Sequence, residues 1–345
     1  MKNRISPKIA ALVICLIPVS QSQADTNNND TNTNKTKEPV YWSVQLENDL
    51  LSGGDDRFYT SGLQVNRTKR HSPPQWLDNI SHKLPFFIDS ENKGGGYSFG
   101  QKIFTPEDIS VSEVIEDDRP YAGWLYGSAS LGAVYEDKAN YRAMNAYEFT
   151  VGIVGPSSQA GNLQEEIHRI TGSETAEGWD NQLHDELGLM ATYVRKSEHF
   201  RSLNNGLEYS WSPHQVLSLG NVYTYAGGGV MFRFGDNLKT DFGPPNIKPG
   251  FPGSAFFSPT KNRNWYFFGG VEGRAVAQNI FLDGNTFKDS HSVDKENLVL
   301  DAQLGFSYQH DNMRFSYSHV LRSKEFESQD KYANFGSLNV SYYFD

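Results

Sequence analysis

The sequence has little cysteine, no long apolar segment and fewer basic than acidic residues, and each shortage excludes a class of protein. Cys15 is the only cysteine among 345 residues, so a disulfide framework or a cysteine-rich zinc site is excluded. The longest apolar run, residues 9–19, is shorter than the roughly 18 residues that a membrane-spanning helix needs. Lys and Arg total 31 against 41 Asp and Glu, a net charge of -10, which argues against nucleic acid as a partner.

The first residues have the composition of a secretory signal peptide. Basic residues precede the apolar run at 9–19, and small residues follow at 22–24. This pattern predicts a signal peptide over residues 1–24. Its removal would take Cys15 away and leave a mature chain without a thiol. The following segment, 25–39, is rich in Asn, Thr and Asp, and we expect it to be a disordered lead.

The rest of the chain, 40–345, consists of alternating apolar and polar segments separated by turn residues. Aromatic residues make up 13% of the chain, with 31 glycines, which is typical of β-structure with aromatic girdles. A soluble sandwich or a lipocalin-like barrel has the same period, but the signal peptide and the twelve segments favour an all-β, twelve-stranded antiparallel transmembrane β-barrel. The predicted strands are 41–49, 57–68, 96–104, 122–134, 141–153, 185–195, 205–218, 222–235, 264–277, 296–308, 312–321 and 334–344.

The number of strands predicts which connections face outward. With both termini in the periplasm, the connections after odd-numbered strands are extracellular. The connections 69–95 and 236–263 are then periplasmic, although periplasmic turns are usually short. The predicted extracellular connections are 50–56, 105–121, 154–184, 219–221, 278–295 and 322–333.

One extracellular connection contains a predicted helix over residues 158–171. Ser157 or Ser158 can cap its start and Gly172 can end it. An apolar stripe at helical spacing is expected to pack against the barrel wall. The stripe consists of Leu163, Ile167 and Ile170.

Two polar residues of this helix, Gln164 and His168, lie one turn apart beside the stripe. If the stripe rests on the barrel, both side chains turn toward the wall as well. The alternative is an ordinary solvated histidine on a surface helix.

Polar residues also gather at the outer ends of the first three predicted strands. Asn48 and Asp49 end the first, Thr60 begins the second, and Lys102 lies near the outer end of the third. Neighbours on a strand point to opposite faces. If Trp42, Val44 and Leu46 face lipid, Asn48 faces outward and Asp49 shares the parity of the lumen. The alternative is the charged rim that any barrel has.

An ordered set of motifs, spread over nearly all of the predicted mature chain, resembles the outer-membrane lipid A 3′-O-deacylases. The resemblance implies a twelve-stranded barrel and a calcium-dependent esterase whose site lies between the barrel wall and the loop helix. The motifs are Leu46–Asp49, Arg57–Gly62, Gly100–Pro106, Asp118–Trp124, Gln164 with His168 and Glu174, Gly178–Leu183 and Gly220–Thr224.

The resemblance also implies roles for individual residues. His168 matches the general base, with Gln164 and Asn48 as catalytic neighbours. The implied Ca²⁺ ligands are Asp49, Thr60 and Glu174, which offer only the oxygen atoms that calcium prefers. Lys102 is the nearest candidate for the family's functional lysine, and Asp345 departs from the usual terminal aromatic residue.

The implied reaction is hydrolysis of the 3′-linked acyloxyacyl ester of lipid A in the outer leaflet, with His168 activating water. Lipopolysaccharide is then the substrate, and we expect a monomer in the outer membrane. One alternative is an outer-membrane phospholipase with a serine nucleophile, because Ser157, Ser158 and Ser173 lie near His168 in sequence. Another is a non-catalytic porin or adhesion barrel.

Overall fold

The computed structural model describes residues 38–52, 58–204, 206–250, 253–254 and 256–344, with the backbone alone at 50, 58–60 and 262. The predicted signal peptide, most of the predicted lead 25–39 and Asp345 lie outside these residues. No helix in the described ranges is long and apolar enough to cross a membrane.

Twelve antiparallel strands form a closed barrel, in which every strand pairs with its sequence neighbours and β1 pairs with β12. The predicted fold class and all twelve predicted strands are confirmed, although several strands run further than predicted. The strands are β1 Val40–Asn48, β2 Phe58–Lys69, β3 Lys93–Thr105, β4 Ala122–Lys138, β5 Tyr141–Val154, β6 Glu186–Ser202, β7 Glu208–Gly220, β8 Tyr223–Gly235, β9 Thr260–Asn279, β10 Leu298–Asp311, β11 Met313–Arg322 and β12 Ala333–Phe344.

The side chains of β1 show how alternation builds the wall. Ser43, Gln45 and Glu47 are buried and face the interior, whereas Trp42 and Leu46 are only partly buried on the outer face. Polar residues of β1 therefore face the lumen and apolar residues face outward, which is the arrangement of a membrane barrel.

The long connection after β2, predicted to be periplasmic, packs on the outside of the wall. It contains a short helix, α1 Gln75–Ile80. Leu77 is fully buried in a cluster with Ala129 and Leu131. This contact explains why the connection is longer than an ordinary turn.

The second long connection, predicted to be periplasmic, folds back into the lumen, and we call its described residues, 236–250, 253–254 and 256–259, the plug. Its Ile247 amide donates to Glu47 Oε1 at 3.0 Å, and Lys102 Nζ donates to the carbonyl oxygen of Lys248 at 2.5 Å. Both partners belong to the outer halves of their strands, so the plug extends far into the barrel. The connection is long because it fills this space.

Buried ion pairs hold the plug in place. Asp241 lies between Arg233, at 2.6 Å, and Arg314, at 2.8 Å. Arg233 also pairs with Glu198, and all four groups are buried. Buried charges are tolerated only when they are paired in this way, so the plug and the wall form one packed interior.

The connections predicted to be extracellular are tied together at the other end of the barrel. Arg119, from the connection after β3, pairs with Glu325 of the connection after β11 at 3.1 Å. His291, from the connection after β9, donates through Nε2 to the Asp118 carbonyl oxygen at 2.8 Å. Asp118 and Arg119 belong to one of the family-like motifs, and here they close the outer end of the barrel.

Candidate functional site between the barrel wall and a loop helix

The predicted loop helix is present as α2, Ala160–Thr171. Gln159, in a left-handed conformation with φ 59°, precedes it, and no side chain caps its start. The prediction that a serine caps the helix is therefore wrong: Ser158 ends a preceding 3-10 turn, and its side chain is fully buried. Gly172 ends the helix in the left-handed conformation, as predicted, and donates its amide hydrogen to the His168 carbonyl at 2.7 Å.

The start of α2 lies on the outer surface of the barrel wall. Gln101 Nε2 donates to the Ser158 carbonyl oxygen at 2.6 Å. A Cβ atom on Gly123 would lie 2.2 Å from both Ser158 Oγ and Ala160 Cβ. Gln101 and Gly123 point outward, because their strand neighbours Lys102 and Trp124 point into the lumen. The helix therefore covers β3 and β4 on their outer face.

The face of α2 that is buried against the wall is polar. Ala160, Gln164 and His168 are exposed by only 1%, 2% and 6%. Close approach of Ala160 to Gly123 fixes this rotation, because larger residues would not fit there. The prediction that the apolar stripe packs on the barrel is therefore wrong, because the polar face does so instead. The alternative of a solvated histidine is also wrong, because His168 is buried. Residues of the stripe are partly buried, at Leu163 and Ile167, or exposed, at Ile170.

His168 is held by a backbone atom. Its Nδ1 makes a short hydrogen bond with the carbonyl oxygen of Glu174. A carbonyl oxygen can only accept, so Nδ1 carries the hydrogen and, in the neutral ring, Nε2 carries the lone pair. The side chain of Glu174 is exposed. The structure thus connects Glu174 with His168 through the main chain, whereas the predicted Ca²⁺ ligand is its carboxylate.

Gln164 has a partner that sequence reasoning did not assign. Trp179 Nε1 donates to Gln164 Oε1 at 2.8 Å. Gln164 Nε2 is buried and has no hydrogen-bond partner among the described residues. Trp179 belongs to the family-like motif Gly178–Leu183, which was the only signal in the sequence that pointed to it.

A row of outward-facing residues runs along the wall at the level where α2 starts. Asn48 pairs with Ser61, Ser61 with Ile103, and Ile103 with Gly123. Asn48 thus shares the outer face with Gly123, as predicted. Ile103 also faces outward but is only 1% exposed, in agreement with the contact between α2 and β3.

The other predicted residues of the rim, Asp49, Thr60 and Lys102, lie in three different settings. Asp49 begins a 3-10 turn after β1 and is buried. Thr60 lies at a bulge of β2, between the paired positions Tyr59 and Ser61, and its side chain lies outside the described residues. Lys102, the nearest candidate for the family's functional lysine, is buried in the lumen and does not face the outer wall. The reason is strand parity: its neighbour Gln101 takes the outer face.

The described residues contain no group of three or more His, Asp or Glu side chains placed to hold a metal ion. Asp49 supplies a buried carboxylate, and the side-chain oxygens of Thr60 and Glu174 suit a hard cation such as Ca²⁺. The donor chemistry therefore fits calcium. Since the Glu174 carboxylate is exposed, its assignment as a Ca²⁺ ligand rests on the family resemblance.

Two of the three serines near His168 in sequence are bonded elsewhere, and the third, Ser158, has a buried hydroxyl without a hydrogen-bond partner among the described residues. Ser157 Oγ donates to Asp185 Oδ2 at 2.6 Å, and Ser173 Oγ pairs with Thr171 Oγ1 at 2.8 Å. A Gly-x-Ser-x-Gly sequence does occur at 96–100. Its Ser98 lies inside β3 and pairs with Ser128 on the lumen side, whereas a nucleophilic serine of that motif stands on a strand-to-helix turn.

Comparison with known proteins agrees with this architecture. The model of the family described as outer membrane protein LpxR matches residues 9–344. Among solved structures, LpxR from Salmonella typhimurium aligns with a TM-score of 0.70 at 20% identity, covering 88% of this chain and 100% of that chain. The β domain of the Bordetella autotransporter BrkA aligns with a TM-score of 0.42 at 9% identity, covering 88% and 98%.

A comparison with curated proteins gave no match. The family match extends over almost the whole chain and confirms the family predicted from the sequence motifs. The match and the closed barrel together place the protein in the outer membrane. The chain belongs to the outer membrane protein LpxR family.

Proposed function

We propose that the protein is a lipid A 3′-O-deacylase, an outer-membrane enzyme that hydrolyses the 3′-linked acyloxyacyl ester of lipid A. The observation that carries this proposal is the buried polar face of α2, with Gln164 and His168 turned toward the outer wall of the barrel. A site on that wall, at the extracellular end, is open to lipids of the outer leaflet and closed to solutes in the lumen.

The length of α2 and the width of the outward-facing row support the proposal that His168 and Asn48 lie close together. From Ala160 to His168 the helix axis rises about 12 Å. From Gly123 to Asn48 the outward-facing row crosses three strand spacings, about 14 Å. Because Ala160 lies against Gly123, a helix that follows the row from there carries His168 close to Asn48.

The chemistry assigned to these residues is attack of water on the ester. His168 Nε2 takes the proton from the attacking water, which is the role of a general base. Positive charge that develops on the ring is stabilised through the Nδ1–H bond to the Glu174 carbonyl oxygen. Asn48 and Gln164 contribute amide groups that orient the water and the ester.

We propose Ca²⁺ as the cofactor, with Asp49, Thr60 and Glu174 as its ligands. When bound, a hard cation polarises the ester carbonyl and balances the negative charge that forms there. Asp49, in the 3-10 turn directly after β1, supplies a buried carboxylate for this role.

Two observations favour the deacylase over its alternatives. A porin needs an open lumen, whereas here the plug is bonded to the wall by Lys102, Glu47 and the Asp241 pairs. A serine-dependent phospholipase needs a serine beside the base, but the hydroxyls of Ser157 and Ser173 are bonded elsewhere. Ser158 precedes α2, more than two helical turns before His168 and therefore about 12 Å or more along the helix axis from it.

Mass spectrometry of lipid A tests the proposal. Outer membranes with and without the protein, and purified protein with lipid A and with phospholipid in separate reactions, are compared. We expect loss of the 3′-acyloxyacyl group from lipid A and no release of fatty acid from phospholipid. Release from phospholipid alone would establish the phospholipase, and no release from either lipid would refute both enzymes.

A further inference from the structure

We infer that Trp179 is a positioning residue, which fixes the orientation of the Gln164 carboxamide so that Nε2 is the atom presented to the substrate. The inference rests on the proposed function, because it assigns a role in the same site. Its structural basis is the bond from Trp179 Nε1 to Gln164 Oε1, 2.8 Å long.

The indole is held firmly in place for this bond. Trp179 begins a 3-10 turn, Trp179–Asn181, and its ring lies 5.1 Å from the ring of Tyr121. Against α2 it packs so closely that a Cβ atom on Gly161 would lie 3.0 Å from the ring. The side chain of Asn181 donates to the Ser112 carbonyl at 2.7 Å and ties the turn to the neighbouring connection.

The chemistry of the two groups determines the orientation of the amide. An indole nitrogen can only donate, so it requires the oxygen of the carboxamide. With Oε1 occupied, the remaining polar atom is Nε2, which can only donate. Nε2 is buried and has no hydrogen-bond partner among the described residues, and a donor of this kind costs free energy unless something accepts from it.

Gln164 therefore acts as a donor in the site, and the ester carbonyl oxygen is the acceptor that we assign to it. The acceptor becomes more negative as water attacks, so this bond strengthens in the transition state. If the carboxamide turned by 180°, Oε1 would face that oxygen and repel it. Trp179 prevents this reversal without touching the substrate.

The direct test replaces Trp179→Phe, which keeps an aromatic ring against Tyr121 and Gly161 but removes the donor. We expect kcat for lipid A deacylation to fall on the order of tenfold, with KM changed by less than about twofold. Trp76→Phe is the control, since this exposed indole lies in α1 at the other end of the barrel. Heat-modifiable gel mobility verifies the fold of each variant.

A double-mutant cycle separates positioning from general support of the fold. In a Gln164→Leu background there is no amide to orient, so Trp179→Phe should cause no further loss of kcat. An equal loss in both backgrounds, or parental kcat in Trp179→Phe, would overturn the inference. An inactive parent protein would instead refute the proposed function.

A measurement without turnover tests the same bond. In protein labelled with ¹⁵N at the indole nitrogens, the Trp179 resonance is identified by its absence from Trp179→Phe. We expect this resonance to shift in Gln164→Leu and to remain in place in Glu165→Ala, an exposed neighbour on α2. An unchanged resonance in Gln164→Leu would refute the hydrogen bond, whether or not the protein is a deacylase.

Discussion

The hydrogen bond from His168 to the backbone carbonyl of Glu174 determines which ring nitrogen is available for proton transfer. It leaves Nε2 with the lone pair whenever the ring is neutral. Because the support comes from the main chain, it survives any substitution of the Glu174 side chain. Mutation of Glu174 therefore probes its carboxylate alone, which makes it useful for testing the proposed calcium site.

Replacement of His168→Ala should leave the barrel intact and remove most of the deacylase activity. Loss of a general base lowers the rate by about 10²–10⁴. The parent activity should rise with pH, because only the neutral imidazole can accept a proton from water. Initial rates of acyl release between pH 5 and 8 measure both effects. His184→Ala, an exposed residue, is the control, and a parental rate in His168→Ala would eliminate the proposed base.

Removal of divalent cations should abolish activity, and Ca²⁺ should restore it better than Zn²⁺, because the proposed ligands are oxygen atoms. Asp49→Asn should raise the Ca²⁺ concentration needed for half-maximal rate. Glu174→Ala should do the same if its carboxylate binds the ion in the working enzyme. Calcium titrations of the chelator-treated protein measure these shifts. Full activity in excess chelator would exclude the metal from the mechanism.

At the scale of elements, the contact between α2 and the wall determines what the site contains. The helix has both an apolar stripe and a polar face, and its own sequence does not determine which of the two packs against the wall. Small residues on both sides, Ala160 on the helix and Gly123 on β4, allow a close approach only in the observed rotation. That rotation buries Gln164 and His168.

Replacement of Gly123→Ala should displace the start of α2 and reduce activity while the barrel remains folded. The added Cβ would lie 2.2 Å from Ser158 Oγ and Ala160 Cβ, and overpacking of this kind costs about 1–3 kcal/mol. Gly127→Ala is a matched control on the same face of β4, because its Cβ would meet nothing closer than 3.8 Å. Deacylation rates and heat-modifiable mobility are compared. Equal activity of both variants would show that this contact does not position the helix.

At the scale of the whole molecule, the barrel is a closed scaffold that presents its site on the outside. The plug fills the lumen from the periplasmic side, and the Arg119–Glu325 and His291–Asp118 contacts tie the extracellular connections together. Burial alone would raise the pKa of Glu325, but Arg322 and Arg119 outweigh it and lower the pKa below its usual range. The contribution of this carboxylate to stability is therefore present at neutral pH and is lost only in acid.

Replacement of Arg233→Ala should loosen the plug. It would leave the buried carboxylates of Glu198 and Asp241 without a shared partner, and breaking a buried pair in this way costs about 3–5 kcal/mol. We expect a lower midpoint of urea unfolding, measured by gel mobility. In planar bilayers the parent should not conduct ions, because the plug occupies its lumen.

The control for this prediction is Lys138→Ala, which removes an exposed partner of Glu136 and should leave the unfolding midpoint unchanged. Steady single-channel conductance by the parent protein would contradict the account of the plug. Such conductance would also favour the alternative function, a non-catalytic porin.

The sequence by itself determined the strands, their order, the loop helix and the family, because these depend on local alternation and on motifs within short segments. The tertiary structure alone decided that the plug fills the lumen, that Lys102 points inward to meet it, and that α2 buries its polar face. It also decided that Glu174 acts on His168 through its main chain and that Trp179 meets Gln164. These features depend on contacts between atoms far apart in the chain, or on close packing at a glycine, and no local pattern of residues encodes them.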